Sequence, residues 1–303
     1  MSTSAPPTAH WADIGVNLGD KQFWDDRDAV LQRAADANVT LLLLTGTGLE
    51  ESRQALALCH ETKGESGTGS SDESNGGCGG ERGKEHGAIE RYATAGVHPH
   101  NARFYDAATE AGLKALLAEP AVLCGGEMGL DFNRDFSPRP DQEQAFEAQL
   151  ALAAAMGKPV FLHERDAHER FHAILKTWRD QLPAAVVHCF TGDRKALHAY
   201  LDLDCHIGIT GWVCDERRGK ELAALVPSIP DERLLLETDA PYLLPRDLPD
   251  PPPRKRRNEP CLLPWIGQRV AALRDISPES LAALTLANTR RFLGLSAPAA
   301  ADC

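Results

Sequence analysis

The residues best suited to chemistry are carboxylates and histidines that directly follow short apolar runs. Glu127 comes after an apolar run and two glycines, within Leu123-Cys-Gly-Gly-Glu-Met-Gly-Leu-Asp-Phe-Asn133. A charge at the exit of a buried strand is costly unless something compensates it, and a bound cation is the usual compensation. An arginine in an ordinary loop would also compensate the charge of Glu127. This stretch alone therefore does not decide between a bound cation and an ion pair.

The same arrangement recurs along the chain, which decides between these interpretations. Polar residues end six predicted strands, numbered 1, 3, 4, 5, 6 and 8 in chain order: Asn17, His98, Glu127, His163, His188 and Asp239. A single histidine in such a place is usually only hydrogen-bonded, but repetition of histidines and carboxylates is hard to explain by chance. Imidazole nitrogens and carboxylate oxygens together suit Zn²⁺, Mn²⁺, Mg²⁺ or Fe²⁺. The pattern therefore predicts a metal site.

Short apolar strands alternate with helical stretches over most of the chain. The strands are predicted at 11–18, 39–44, 92–97, in the run into Glu127, and at 159–162, 184–187, 206–211 and 234–236. Apolar spacing predicts helices at 25–37, 50–60, 107–117, 140–156, 166–178, 219–225, 263–274 and 278–292. Eight such repeats favour an α/β protein of the (β/α)8 TIM-barrel class, in which the carboxyl ends of the strands converge. An open doubly wound sheet is the alternative, but no G-x-G-x-x-G follows the first strand.

The 303 residues are expected to form one domain spanning 11–295. The segment 62–88 is rich in glycine and serine and almost free of apolar residues, so we interpret it as a flexible surface insertion. The ends, 1–10 and 296–303, are expected to be flexible tails.

Composition also limits the location and the partners. No apolar run approaches the length of a membrane helix, and no secretory signal is evident, so a cytoplasmic protein is expected. None of the eight cysteines has Cys-x-x-Cys spacing, and we expect them to be free thiols in a reducing compartment. The net charge of −12 argues against non-specific coating of nucleic acid, but a local basic patch could still hold phosphates. Three basic groups could bind phosphate oxygens, or could simply be solvated residues of surface loops. They are Arg165, Arg217-Arg218 and Arg254-Lys255-Arg256-Arg257.

Eight motifs are spread over nearly the whole chain: D-I-G-V-N-L at 13–18, A-G-V-H-P-H at 95–100, G-E-M-G-L-D-F-N at 126–133, H-E-R-D-A-H-E-R-F at 163–171, H-C-F-T-G at 188–192, I-T-G-W-V-C-D-E-R-R-G at 209–219, E-T-D-A-P-Y-L-L-P-R at 237–246 and R-R-N-E-P at 256–260. In these motifs the chain resembles the TatD-type deoxyribonucleases. Many relatives carry a His-x-His pair on strand 1, where this chain has Gly15 and Asn17.

The resemblance implies a cytoplasmic, metal-dependent barrel enzyme that acts as a 3′→5′ exonuclease on single-stranded DNA and, in some members, on RNA. It implies metal or catalytic roles for Glu127, His163, His188 and Asp239. We expect Mg²⁺ first, with Mn²⁺ or Zn²⁺ as alternatives, and a monomer that functions in DNA repair or turnover.

Specific roles follow as hypotheses for the metal ligands and their neighbours. Glu127 and Asp239 are the expected catalytic groups, and Asp239 would accept the proton of the attacking water. Four residues are expected to contact the phosphate or the leaving group: Asn17, His98, His100 and Arg165.

Two other functions remain open. A D-aminoacyl-tRNA deacylase would hydrolyse an ester and could use the same metal ligands. A non-catalytic scaffold would be indicated by a lost ligand on strand 4, 5, 6 or 8, and all four are present.

Overall fold

This computed structural model describes residues 9–61, 89–250, 254 and 256–296. The predicted insertion, 62–88, and nearly all of both predicted tails lie outside these residues. The domain bounds of 11–295 stay a prediction, although the elements of the barrel run from Trp11 to Phe292.

Eight parallel strands form one sheet in chain order, and the last closes against the first. Val16 bridges Ala240 in parallel, and the backbone N–H of Asn17 donates to the carbonyl of Ala240 at 2.8 Å. The (β/α)8 prediction is confirmed. The strands are β1 (Trp11–Val16), β2 (Val39–Leu44), β3 (Glu90–Ala95), β4 (Val122–Asp131), β5 (Val160–Arg165), β6 (Ala185–Val187), β7 (His206–Ile209) and β8 (Leu234–Leu236).

Helices between the strands cover the outside of the barrel. Side-chain caps begin several of them, as where Asp106 accepts from the backbone N–H of Thr109, and Gly157 ends α4 with a φ of 63°. The helices are α1 (Arg27–Asp36), α2 (Leu49–His60), α3 (Ala107–Leu117), α4 (Arg139–Met156), α5 (His168–Trp178), α6 (Arg194–Asp202), α7 (Lys220–Leu225), α8 (Leu263–Leu273) and α9 (Pro278–Phe292). The predicted bounds of the helices agree with these to within a few residues. No helix was predicted from the sequence in the region of α6.

The hydrophobic core has an inner and an outer part. Residues of six strands fill the barrel, among them Ile14, Leu43 and Phe161, and Phe292 of α9 packs against them. The larger cluster lies between the barrel and its helices. Because both faces of each strand are buried, the strands read as apolar runs in the sequence.

Two strands extend farther than the sequence indicated, so Glu127 and His163 lie within β4 and β5 rather than beyond them. The register of β4 against β5 shifts between Gly125 and Met128, which marks a bulge at Glu127. Gly126 has a φ of 127°, and a Cβ there would lie 2.2 Å from the carbonyl oxygen of Phe161. The apolar pattern stops early because these strands turn polar side chains toward the mouth of the barrel.

Among the described helices, none combines the length and apolar character required to cross a membrane. The six described cysteines are free thiols.

Candidate metal centre

Glu127 is the centre of a cluster of three imidazoles. Its Oε1 lies 2.8 Å from Nε2 of His188, 2.9 Å from Nδ1 of His163 and 3.3 Å from Nε2 of His98. His163 lies on β5. His188 directly follows β6, and His98 lies shortly after the end of β3. The carboxyl ends of four neighbouring strands therefore bring together residues that are up to 90 positions apart in the sequence.

The cluster fits a divalent cation. One ligand atom from each of His98, Glu127 and His163 lies within 4.8 Å of the others. Nε2 of His163 is buried and has no well-aligned hydrogen bond, only Oδ2 of Asp131 at 3.4 Å, which suits a nitrogen that binds a metal. Imidazole nitrogen combined with carboxylate oxygen is a common donor set for divalent metals. His98, predicted as a substrate contact, thus lies among the potential ligands.

Charge is concentrated on these buried groups. Burial opposes the charge on Glu127, but the imidazoles of His188 and His98 outweigh it and hold its pKa well below the usual range. Burial likewise opposes a charge on His188, yet Glu127 and Glu237 hold its pKa well above the usual range. The pKa of His98 falls to about 4 because burial dominates there. Without a metal, Glu127 and His188 therefore form an ion pair.

Asp131 supplies a second carboxylate beside the first. Its Oδ2 lies 2.8 Å from Nε2 of His100 and 3.4 Å from Nε2 of His163. Its Oδ1 accepts the backbone N–H groups of Asn133 and Arg134. Burial opposes ionisation of Asp131, but these partners hold its pKa far below the usual range. His100 therefore faces the metal centre through Asp131.

Asp239 completes the group of predicted ligands. The side-chain amide of Asn17 donates to its Oδ1 at 3.2 Å, which links the predicted strand-1 and strand-8 residues. Burial raises the pKa of Asp239 to about 7, and the charges of His188 and Glu127 also act on that pKa. Asp239 therefore faces the same cluster and titrates near neutral pH.

Glu237, which the sequence analysis did not select, orients His188. It is fully buried, and its Oε2 lies 3.4 Å from Nδ1 of His188 while Oε1 accepts the backbone N–H of Cys189. A carboxylate on the far nitrogen of a metal-binding imidazole fixes the ring and the tautomer. The signal was present in the sequence, because both overlooked carboxylates, Asp131 and Glu237, lie within a few residues of selected ones.

The predicted basic groups differ in their surroundings. The guanidinium of Arg165 lies over the ring of Trp212 at 5.5 Å, and that of Arg218 lies over the same ring at 4.3 Å. Arg257 instead is buried and bonds Asp26 at 2.8 and 2.9 Å, and Arg254 also pairs with Asp26. Arg257 is therefore not available to a phosphate, and the interpretation of the last run as a phosphate contact is wrong for this residue, whereas the side chain of Arg254 is 49% exposed.

Known proteins resemble this chain over almost its full length. The chain is 50% identical over 284 residues to the 3′-5′ ssDNA/RNA exonuclease TatD of Escherichia coli K12, covering 94% of this chain and 99% of that protein. It is 52% identical over 283 residues to the protein of the same name from Erwinia amylovora, covering 93% and 99%.

Solved structures and family models agree with these relatives. A TatD homologue from Escherichia coli K12 superposes with a TM-score of 0.79 at 25% identity, over 95% of this chain and 99% of that one. The model of TatD-related DNases matches residues 84–294, which include the Glu127 cluster and Asp239. The chain belongs to the TatD-related DNase family.

Proposed function

We propose that this protein is a divalent-metal-dependent nuclease that shortens single-stranded DNA and RNA from the 3′ end. The observation that carries the proposal is the contact of one buried carboxylate oxygen, Oε1 of Glu127, with three imidazoles. Relatives about half identical to this chain carry the name 3′-5′ ssDNA/RNA exonuclease, which supports this substrate and polarity.

Glu127, His163, His188 and Asp239 are the proposed ligands of the metal, with His98 available beside them. A cation bound there would stabilise negative charge on the phosphate and lower the pKa of a water molecule. We propose Mg²⁺, which suits the carboxylates, although the number of imidazoles also suits Mn²⁺ or Zn²⁺.

The protein's own groups would orient the reactants and move the proton. We propose that Asp239, the buried carboxylate that accepts a hydrogen bond from Asn17, also accepts a proton from the attacking water. Asn17 orients that carboxylate, and Glu237 orients His188. The proposed contacts to the phosphate and the leaving group are His98, His100 and Arg165.

The other functions receive less support. Neither the family description nor the names of the relatives support a D-aminoacyl-tRNA deacylase. A non-catalytic scaffold would have no need for the buried, mutually charged Glu127–His188 pair, which is costly to keep in a protein interior.

The test is degradation of 3′-labelled and 5′-labelled single-stranded DNA and RNA with Mg²⁺, Mn²⁺, Zn²⁺ or a chelator. Stepwise shortening from the 3′ end that requires metal and is lost in Glu127→Gln is expected. Glu279→Gln, at the exposed start of α9, is the matched control and should keep full activity. A folded, metal-binding protein that leaves every strand intact would contradict the proposal.

A cytoplasmic location, a monomeric state and a role in DNA repair or turnover also belong to this proposal. The free thiols of the described cysteines suit a reducing compartment. Cell fractionation tests the location, and light scattering of the purified protein tests the oligomeric state.

A further inference from the structure

Exposed aromatic rings surround the mouth of the barrel. Among the described residues, the large hydrophobic side chains that remain exposed are Trp24, Phe104, Phe136, Tyr242 and Ile276. The four aromatic ones follow β1, β3, β4 and β8, at the end of the barrel that holds the metal centre. Ile276 lies between α8 and α9, at the other end. Large apolar groups gain from burial, so their concentration on one rim indicates a surface for binding.

The backbone next to Phe136 is ordered by buried polar contacts, although Phe136 itself is 53% exposed. The next residue, Ser137, is fully buried; its hydroxyl donates to the carbonyl of His100 at 2.8 Å and accepts the backbone N–H of Arg103. The side-chain amide of Gln142 donates to the carbonyl of Ser137 at 2.8 Å. Buried polar contacts thus order the backbone around a ring whose own burial contributes little to folding.

The ring of Phe136 is directly connected to the metal centre. Its centroid lies 4.7 Å from that of His100, edge to face, and His100 binds Asp131. The ring of His100 lies 4.2 Å from that of His98, which contacts Glu127. A flat group stacked on Phe136 would therefore lie beside a phosphate held at the metal centre.

A second exposed ring lies on the adjacent segment, with a cation next to it. Phe104 is 70% exposed, and the guanidinium of Arg103 lies 5.6 Å from its centroid. The hydrogen bond between Arg103 and Ser137 joins this segment to the one that carries Phe136. Aromatic rings interleaved with a positive charge are the usual means of holding single-stranded nucleic acid.

We propose that Phe136 stacks on a nucleobase adjoining the scissile phosphate, and that Phe104 stacks on a base farther from the metal centre. The inference rests on the proposed function and assigns the path of the strand. Every base presents a π face, so these contacts tolerate any sequence. Paired bases in a duplex are already stacked on one another, which gives the site a preference for single strands.

The test compares kcat/KM on two single-stranded DNA oligonucleotides, one with normal bases and one with abasic tetrahydrofuran residues at its three 3′-terminal positions. Stacking of one base is expected to change kcat/KM about 5- to 150-fold. Phe136→Ala should show this loss on the normal strand and no further loss on the abasic strand, which the wild type itself cleaves poorly. Phe136→Trp should retain activity, and Phe104→Ala should lose less than Phe136→Ala. Ile276→Ala is the matched control and should match the wild type on both strands.

Two results would overturn the inference while leaving the nuclease function intact. One is an active Phe136→Ala variant with unchanged kcat/KM on the normal strand. The other is an equal loss on both strands, since that would reflect damage to the metal centre rather than a missing base contact. A wild-type protein that cleaves neither strand would overturn the proposed function itself, and this inference with it.

Discussion

Glu237 occupies the space in front of Gly15, where a Cβ would lie 2.5 Å from Oε2 of the carboxylate. A Cβ on Gly208 would lie 2.6 Å from Oε1 of the same group. Because Gly15 on β1 and Gly208 on β7 have no side chain, the carboxylate can lie beside His188. A larger side chain at position 15 would therefore collide with Glu237 as it lies here.

Replacing Glu237 should weaken the metal centre without unfolding the protein. Glu237→Gln keeps an oxygen that can accept the N–H of Cys189 but removes the charge that acts on His188. Loss of such a partner usually costs about 10- to 100-fold in metal affinity or activity. Calorimetric titration with Mn²⁺ measures the affinity, and thermal unfolding of the metal-free protein checks the fold.

Gly15→Ala provides an independent check on that result, because its Cβ would push the same carboxylate away from its place. It should lower the affinity for Mn²⁺ in the same direction. Normal affinity in both variants would show that Glu237 does not position His188. Glu279→Gln serves as the control for a surface carboxylate.

Glu127→Gln should abolish most activity and also shift the titration of His188. Loss of a metal ligand that stabilises the transition state is expected to cost about 10³-fold or more. In the metal-free protein the carboxylate of Glu127 helps to hold the pKa of His188 above its usual range, so the substitution should lower that pKa. NMR titration of the imidazole measures it. An unchanged His188 pKa would contradict the pairing.

Metal binding should release protons and weaken in acid. Burial raises the pKa of Asp239 to about 7 without metal, and the pKa of His163 is also raised, because Asp131 and Glu127 outweigh the effect of burial. A cation must displace these protons, so affinity should fall as the pH drops through about 7. Calorimetry in two buffers of different ionisation enthalpy counts the protons released. Asp239→Asn should release fewer protons, and an equal number would contradict the assignment.

Asp26 should contribute to stability through Arg257. The hydrogen bond from Arg257 lowers the pKa of Asp26 from its ordinary value to about 2. Because the folded-state pKa is depressed, the contribution is present above pH 4 and is lost as the pH falls through about 2. The shift corresponds to at most about 2 kcal/mol in the free energy of unfolding, because solvent screens part of this interaction.

Urea unfolding of the wild type and of Asp26→Asn, measured from pH 7 to pH 2, tests this contribution. The variant should be less stable at pH 7, and the difference should shrink toward pH 2. A difference that stays constant over this range would mean that the ion pair does not carry the effect.

Patterns in the amino-acid sequence were enough to predict the barrel and most of the proposed metal ligands. Eight apolar runs separated by helical stretches leave few alternatives, and polar residues that end parallel strands must converge at one rim. Glu127, His163 and His188 were selected on this ground, and the structure brings them into contact.

Contacts between the side chains of the site depend on the three-dimensional packing of the strands. The bulge that turns Glu127 inward depends on how β4 lies against β5, which the apolar pattern of either strand leaves undefined. Arg257 looked like a solvent-exposed cation, but its partner, Asp26, lies 231 positions away in the chain. Glu237 reaches His188 only because glycines on other strands leave room for it. Such contacts join residues distant in sequence, so no local pattern contains them.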